Sequence, residues 1–264
     1  MEENIFNIPV GYILGCLAIF LRVSGVLFAL PVFGDDIVPL RVRTLLSISL
    51  TMMVIPMVPK MWDPNSISSI FELASVVLRE LLIGLSIGYV AKLLFDAVVM
   101  AAGLVGYQMG FGTAELLMPD LGQPVSAFTH FHRNLMILFF LVLDFHHIYL
   151  KTMVESFRMI PIGKASLSPF LGMEFVKASG VVFASSVELA APILVALLFT
   201  MTALGLLARA VPQVNVFIIS FPIGFAVGLL VYVATIPLFP SWMQEHFSLN
   251  SELIVTTLTG LKPL

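Results

Sequence analysis

Long apolar runs alternate along the chain with short polar or proline-rich breaks. The first run, Ile8 to Phe33, is interrupted by a single charge, Arg22. A polar turn, Gly34-Asp35-Asp36, and then Pro39, Arg41 and Arg43 separate it from a shorter run, Leu45 to Val58. After the break around Trp62-Asp63-Pro64-Asn65, a third run extends from Ile70 to about Met100 and carries Arg79, Glu80, Lys92 and Asp96. Glycine and proline then dominate from Gly103 to Phe128. Leu135 to Leu143 is apolar but too short to span alone, and His146 to Phe157 is its amphipathic continuation. A second breaker stretch, Pro161 to Pro169, precedes two long apolar segments, Phe175 to Ala208 and Val214 to Phe239, joined by a tight turn at Arg209-Ala210-Val211-Pro212-Gln213. Spanning the hydrocarbon takes about 20 apolar helical residues. No strand-like alternation occurs, so the pattern predicts an all-helical chain with roughly five or six long helical segments. Pro192, Pro222 and Pro237 fall inside apolar runs, where each removes a backbone hydrogen bond and tends to kink the helix.

Composition turns this pattern into a membrane protein. The 264 residues are 59% hydrophobic and 11% charged, with a mean hydropathy of +1.05. A soluble domain carries about 45–50% apolar and roughly 25% charged residues. The chain lacks the polar surface to cover a water-soluble fold, which excludes a soluble enzyme and a disordered protein. With 13 Lys+Arg against 16 Asp+Glu there is no basic footprint for nucleic acid. The lone cysteine, Cys16, lies in an apolar run and reads as a small core residue. Glu2 and Glu3 stand where a signal peptide would carry basic residues, so the first helix is expected to stay in the mature protein. Arg41, Arg43 and Arg209 place the first and last connections in the cytoplasm by the positive-inside rule.

Candidate chemistry is sparse. Four GxxxG patterns, Gly11/Gly15, Gly84/Gly88, Gly106/Gly110 and Gly224/Gly228, point to close helix–helix approach, within the chain or against other subunits. Lys92 and Asp96 are i,i+4 neighbours able to pair. Arg79 and Glu80 point in different directions and need separate partners, and Arg22 stands alone on its helix. His130-x-His132 and His146-His147, with Asp144 nearby, invite a metal. However, no HExxH motif exists, and adjacent helical residues diverge by about 100°. The expectation is therefore no metal and no cofactor. The chain has neither a P-loop nor a GxSxG elbow, and no catalytic constellation, so it does not read as an enzyme. The segment Met109 to Phe128, MGFGTAELLMPDLGQPVSAF, is either an external loop or a re-entrant segment plugging a pore. Irregular backbone is tolerated at membrane depth only where protein buries it or a watery cavity receives it.

Four segments in fixed order carry a resemblance: PVFGDDIVPLRVR (31–43), MAAGLVGYQMGFG (100–112), HIYLKTMVESFRMIPIG (147–163) and RAVPQVNVFIISFPI (209–223). Together they resemble the FliR family of flagellar export-gate proteins and their type III secretion counterparts, over nearly the whole chain. The RAVPQVN turn is nearer to flagellar members. The resemblance implies kinked helical hairpins in a helical, conical assembly with FliP-type and FliQ-type subunits and an FlhB-type protein. Unfolded flagellar proteins cross the bacterial inner membrane through this assembly, within the flagellar basal body. It also implies a FliP-like portion, 1–170, fused to a FliQ-like hairpin and tail, 171–264. One chain then occupies the place of a FliP–FliQ pair and terminates an array of heterologous contacts that does not close by itself.

Relatives place an inner plug of the closed channel after the QMGFG match. Carried onto this chain, the plug covers about 106–128. Its gating residues are Met109, Gly110, Phe111, Gly112, Leu116, Leu117, Met118 and Pro119. Many relatives have Asp-Pro in this loop, whereas Met118-Pro119-Asp120 reverses that order. The hairpin tip that contacts a neighbouring subunit comprises Arg209, Pro212, Gln213 and Asn215. The alternative reading is a secondary transporter or channel for a small solute. Such folds often carry internal repeats, and none is visible between the halves.

Overall fold

The computed structural model of the chain describes residues 10–34, 38–58, 69–111, 124–166, 171–211, 213 and 215–261. Among them the long elements are helices: α1 (Val10–Ala29), α2 (Leu40–Val54), α3 (Ile70–Gln108), α4 (Pro124–Val142), α5 (Phe145–Met159), α6 (Leu171–Ala210), α7 (Val216–Thr235) and α8 (Phe239–Thr259). No strand occurs among the described residues. Among the described residues five helical stretches are long and apolar enough to cross a membrane, and six if α4 and α5 count as one broken span. The chain is an all-α membrane protein.

Several boundaries depart from the sequence pattern for physical reasons. Helix α2 starts before the apolar run, at Leu40. Pro39 fixes the extended entry (φ −57°, ψ 142°), and its carbonyl accepts the N–H groups of Val42 and Arg43 at 2.9 and 3.2 Å. Helix α3 does not stop at Gly103 but runs to Gln108, since packing outweighs the weak helix propensity of two glycines. Pro192 and Pro222 lie within continuous α6 and α7, whereas Pro237 sits in the 3-10 turn Ile236–Leu238 that ends α7. The α4/α5 break falls at Asp144, which takes a left-handed conformation (φ 57°).

The described residues pack into two compact units, each drawing on chain from both sides of residue 170. The first comprises Met1–Leu93, Asp144–Ser179 and Ser248–Leu264. Its core includes Ile19, Val23, Leu27, Ile83, Ile87, Met153, Phe157 and Ile254. Here α1 and α3 approach almost backbone to backbone. A Cβ added at Gly84 would collide with the Arg22 carbonyl, and one at Gly88 with Ala29. The Gly84/Gly88 pattern therefore serves close approach within the chain. A buried polar link joins three helices of this unit: Tyr149 Oη donates to Asn250 Oδ1 (2.9 Å), and Asn250 Nδ2 donates to the Val90 carbonyl (2.9 Å).

The second unit comprises Leu94–Leu143 and Gly180–Phe247. Ala101, Val105, Met109, Ala190, Ile193 and Leu197 form one buried cluster. Phe95, Phe140 and Phe247 form another, with ring centroids 5.3 to 6.2 Å apart. Large apolar side chains stand outside these clusters. Phe199 and Leu230 are each 71% exposed, and little of the apolar length of α6 is buried. Soluble monomers rarely expose apolar area on this scale, so lipid or other subunits must cover it.

Candidate functional site

The segment expected to form the plug leaves α3 through a built root. Met109 donates its N–H to the Val105 carbonyl (2.8 Å), and Gly110 to that of Tyr107 (3.0 Å). Gly110 then turns the chain at φ 97°, a conformation that favours glycine. One stripe of α7 receives this root, with Phe221, Phe225, Gly228 and Tyr232 at helical spacing. A Cβ at Gly110 would lie 2.7 Å from the Phe221 ring, and one at Gly228 would lie 2.6 Å from Met109 Cγ. Gly228 thus leaves the notch that Met109 fills.

Phe111 and Phe128 flank the segment and stack on each other (centroids 5.9 Å, 26°). Phe111 also meets Phe225 edge-on at 5.6 Å, and Phe128 meets Tyr232 edge-on at 5.6 Å. His132 lies 4.3 Å from the Phe128 ring, and its Nδ1–H donates to the Phe128 carbonyl at 2.8 Å. The structure therefore brings Met109, Gly110 and Phe111 together as an aromatic clamp. Gly112, Leu116, Leu117, Met118 and Pro119 lie outside the described residues. At the expected hairpin tip, Arg209, Gln213 and Asn215 are all exposed, and Pro212 lies outside the described residues. Asn215 begins α7 without a side-chain cap bond, while its carbonyl accepts the Ile218 and Ile219 N–H groups at 3.2 and 3.4 Å.

Sequence reasoning missed the strongest polar constellation of the first unit. Arg22 is fully buried, and its Nε donates to Glu80 Oε2 at 2.7 Å. Nη1 donates to Ser156 Oγ (3.3 Å) and to the Ile160 carbonyl (3.0 Å), and the guanidinium lies 4.2 Å above the Phe157 ring. The other Glu80 oxygen accepts the Gly163 N–H at 2.9 Å, from a backbone held at φ 75°. Arg79, pointing elsewhere as expected, donates to the Ala165 carbonyl at 2.9 Å. Arg22, the one charge of α1, thus finds its partner on α3. Its partner sits 58 positions away, a separation that no local pattern reveals. The available signal was the segment 147–163, because Ser156, Phe157, Ile160 and Gly163 all belong to it.

The remaining histidines divide. His130 is exposed. His246 donates through Nδ1 to the Trp242 carbonyl (3.0 Å), and its Nε2 lies 3.5 Å from Glu188. His146 and His147 do not diverge, since their rings lie 4.2 Å apart.

Comparison with known proteins places this chain in a family. Residues 13–249 match the family described as bacterial export proteins, family 1. The flagellar biosynthetic protein FliR of Pectobacterium carotovorum subsp. carotovorum is 31% identical over 244 residues, 92% of each chain. FliR of Escherichia coli K12 is 31% identical over 243 residues, 91% of each chain. FliR of Aquifex aeolicus is 28% identical over 239 residues, 89% of this chain and 90% of its own. This chain belongs to the FliR family of bacterial export proteins.

Proposed function

We propose that the chain is a core, non-enzymatic component of the flagellar type III protein export gate, set in the bacterial inner membrane within the flagellar basal body. With FliP-type and FliQ-type subunits it forms the channel for unfolded flagellar proteins, beside an FlhB-type partner. The observation that carries this reading is the match to flagellar FliR proteins over about nine-tenths of both chains. The apolar faces of α6 and α7 supply the surface that such neighbours need.

On this reading, residues 1–170 act as the FliP-like portion and 171–264 as the FliQ-like hairpin and tail. Residues 106–128 form the inner plug. The clamp of Met109, Gly110, Phe111 and Phe128 on α7 holds the root. The stretch from Gly112 through Leu116, Leu117, Met118 and Pro119 obstructs solutes and yields to a polypeptide. Glycines suit this task because they fold tightly at little steric cost. Arg209, Pro212, Gln213 and Asn215 present the hairpin tip to a neighbouring subunit or the FlhB-type partner.

Deleting Gly110 to Gly122 tests the plug. The assembled gate is expected to leak small ions, and unchanged membrane conductance with the complex intact refutes the assignment. Replacing Gln213 and Asn215 with Ala tests the tip. Weaker subunit contact and reduced motility are expected, and wild-type assembly and motility remove it.

A further inference from the structure

A second cluster, independent of the export reading, lies at the start of α5. Asp144, His146 and His147 hold their ligand-type atoms within 4.8 Å of one another. His147 Nδ1 is 3.7 Å from Asp144 Oδ1, and both side chains are largely exposed (67% and 71%). In a tetrahedral site with bonds of about 2.0–2.1 Å, ligand atoms sit roughly 3.3 Å apart. The Asp144–His147 pair is thus near coordination distance already. The remaining ligand atom lies within 4.8 Å of both.

Two features separate this cluster from an ordinary polar turn. Asp144 is the one non-glycine residue with positive φ among the described residues. That conformation costs about 1–2 kcal/mol, though less for Asp than for most residues. Asp144 also occupies the N-cap position of α5 without making a side-chain cap hydrogen bond, so its carboxylate is not committed to the helix. The left-handed turn instead sets the carboxylate beside the imidazole of His147, and the Asp144 carbonyl accepts the His147 N–H at 3.0 Å. The objection that neighbouring histidines diverge fails here, because the two rings are tilted by only 34° at 4.2 Å.

We propose that Asp144, His146 and His147 form a binding site for one borderline divalent transition cation of the Zn2+, Co2+ or Ni2+ class. Two imidazole nitrogens and one carboxylate select this class over Mg2+ or Ca2+, which prefer all-oxygen sites. Three protein ligands leave a position open to water. The positive end of the α5 dipole opposes a cation by about 0.3–1 kcal/mol. The Asp144 carboxylate, placed at that same end, offsets it. Bound metal fastens the first turn of α5 and fixes the backbone of Asp144.

The test uses the full chain in mild detergent, purified on a tag without histidine, titrated with Co2+ as optical probe and Zn2+ as competitor. One Co2+ per chain is expected, with ligand-field bands in the visible and displacement by Zn2+. Asp144→Gly keeps the left-handed backbone but removes the carboxylate. It should weaken binding by more than the roughly tenfold cost of losing a group that only hydrogen-bonds to a ligand. His147→Ala should do the same, whereas His130→Ala should change nothing. Absence of a stoichiometric Co2+ complex overturns the proposal, as does binding that survives both Asp144→Gly and His147→Ala.

Discussion

Replacing Arg22 by Leu strands the Glu80 carboxylate in a buried site with a single described donor, the Gly163 N–H at 2.9 Å. Replacing Glu80 by Leu strands a guanidinium that keeps Ser156 Oγ, the Ile160 carbonyl and the Phe157 face. At 2.7 Å the pair attracts by about 6 kcal/mol for an effective dielectric constant of about 20. Against this stands a desolvation penalty of several kcal/mol per ion, so the intact pair contributes little net stability. Breaking it is different, because one buried charge remains uncompensated at a cost of about 3–5 kcal/mol. Each single variant should therefore lose about 3–5 kcal/mol, while the double variant Arg22→Leu/Glu80→Leu, with no charge left to bury, should be more stable than either. The assay is reversible unfolding of the full chain in detergent across the double-mutant cycle. Single variants that each lose under about 1 kcal/mol would refute the reasoning, as would a double variant equal to the sum of the singles.

Other perturbations have equally definite outcomes. Gly84→Ala drives a Cβ into the Arg22 carbonyl, which belongs to backbone and cannot swing aside. It should sharply lower thermal stability in detergent, whereas Gly103→Ala meets nothing within 4 Å and should be neutral or gain about 0.5–1 kcal/mol. Phe111→Ala with Phe128→Ala removes the stacked pair that closes the clamp. The assembled complex should then show raised ion conductance with little change in assembly. Tyr232 has a buried hydroxyl that finds no hydrogen-bond partner among the described residues. Tyr232→Phe should cost nothing and can raise the melting temperature, since an unmet buried polar group carries a penalty of about 1–3 kcal/mol.

Much of the fold was legible because lipid-facing helices declare themselves by apolar length. The runs at Ile70–Met100 and Phe175–Ala208 became α3 and α6, and the tight turn after Ala208 separates α6 from α7. Element ends were less legible. Pro39 extended α2 to include Arg41 and Arg43, and packing carried α3 past Gly103 and Gly106. The clamp was half visible: glycines at 106 and 110 marked a change of character, but its receiving stripe on α7 is more than a hundred positions away. Long-range pairing escaped altogether, as Arg22 with Glu80 shows. Local geometry escaped too at the start of α5, where the rings of His146 and His147 lie 4.2 Å apart although ideal helical neighbours diverge by about 100°.

The central claim is that this chain is built into a hetero-oligomeric export gate. Co-expression of the tagged chain with FliP-type and FliQ-type proteins from the same genome, purification in mild detergent and measurement of complex mass test it most directly. The account predicts a stable large complex containing one copy of this chain. A stable monomer or homodimer that purifies without those partners would contradict it and bring small-solute transport to the front.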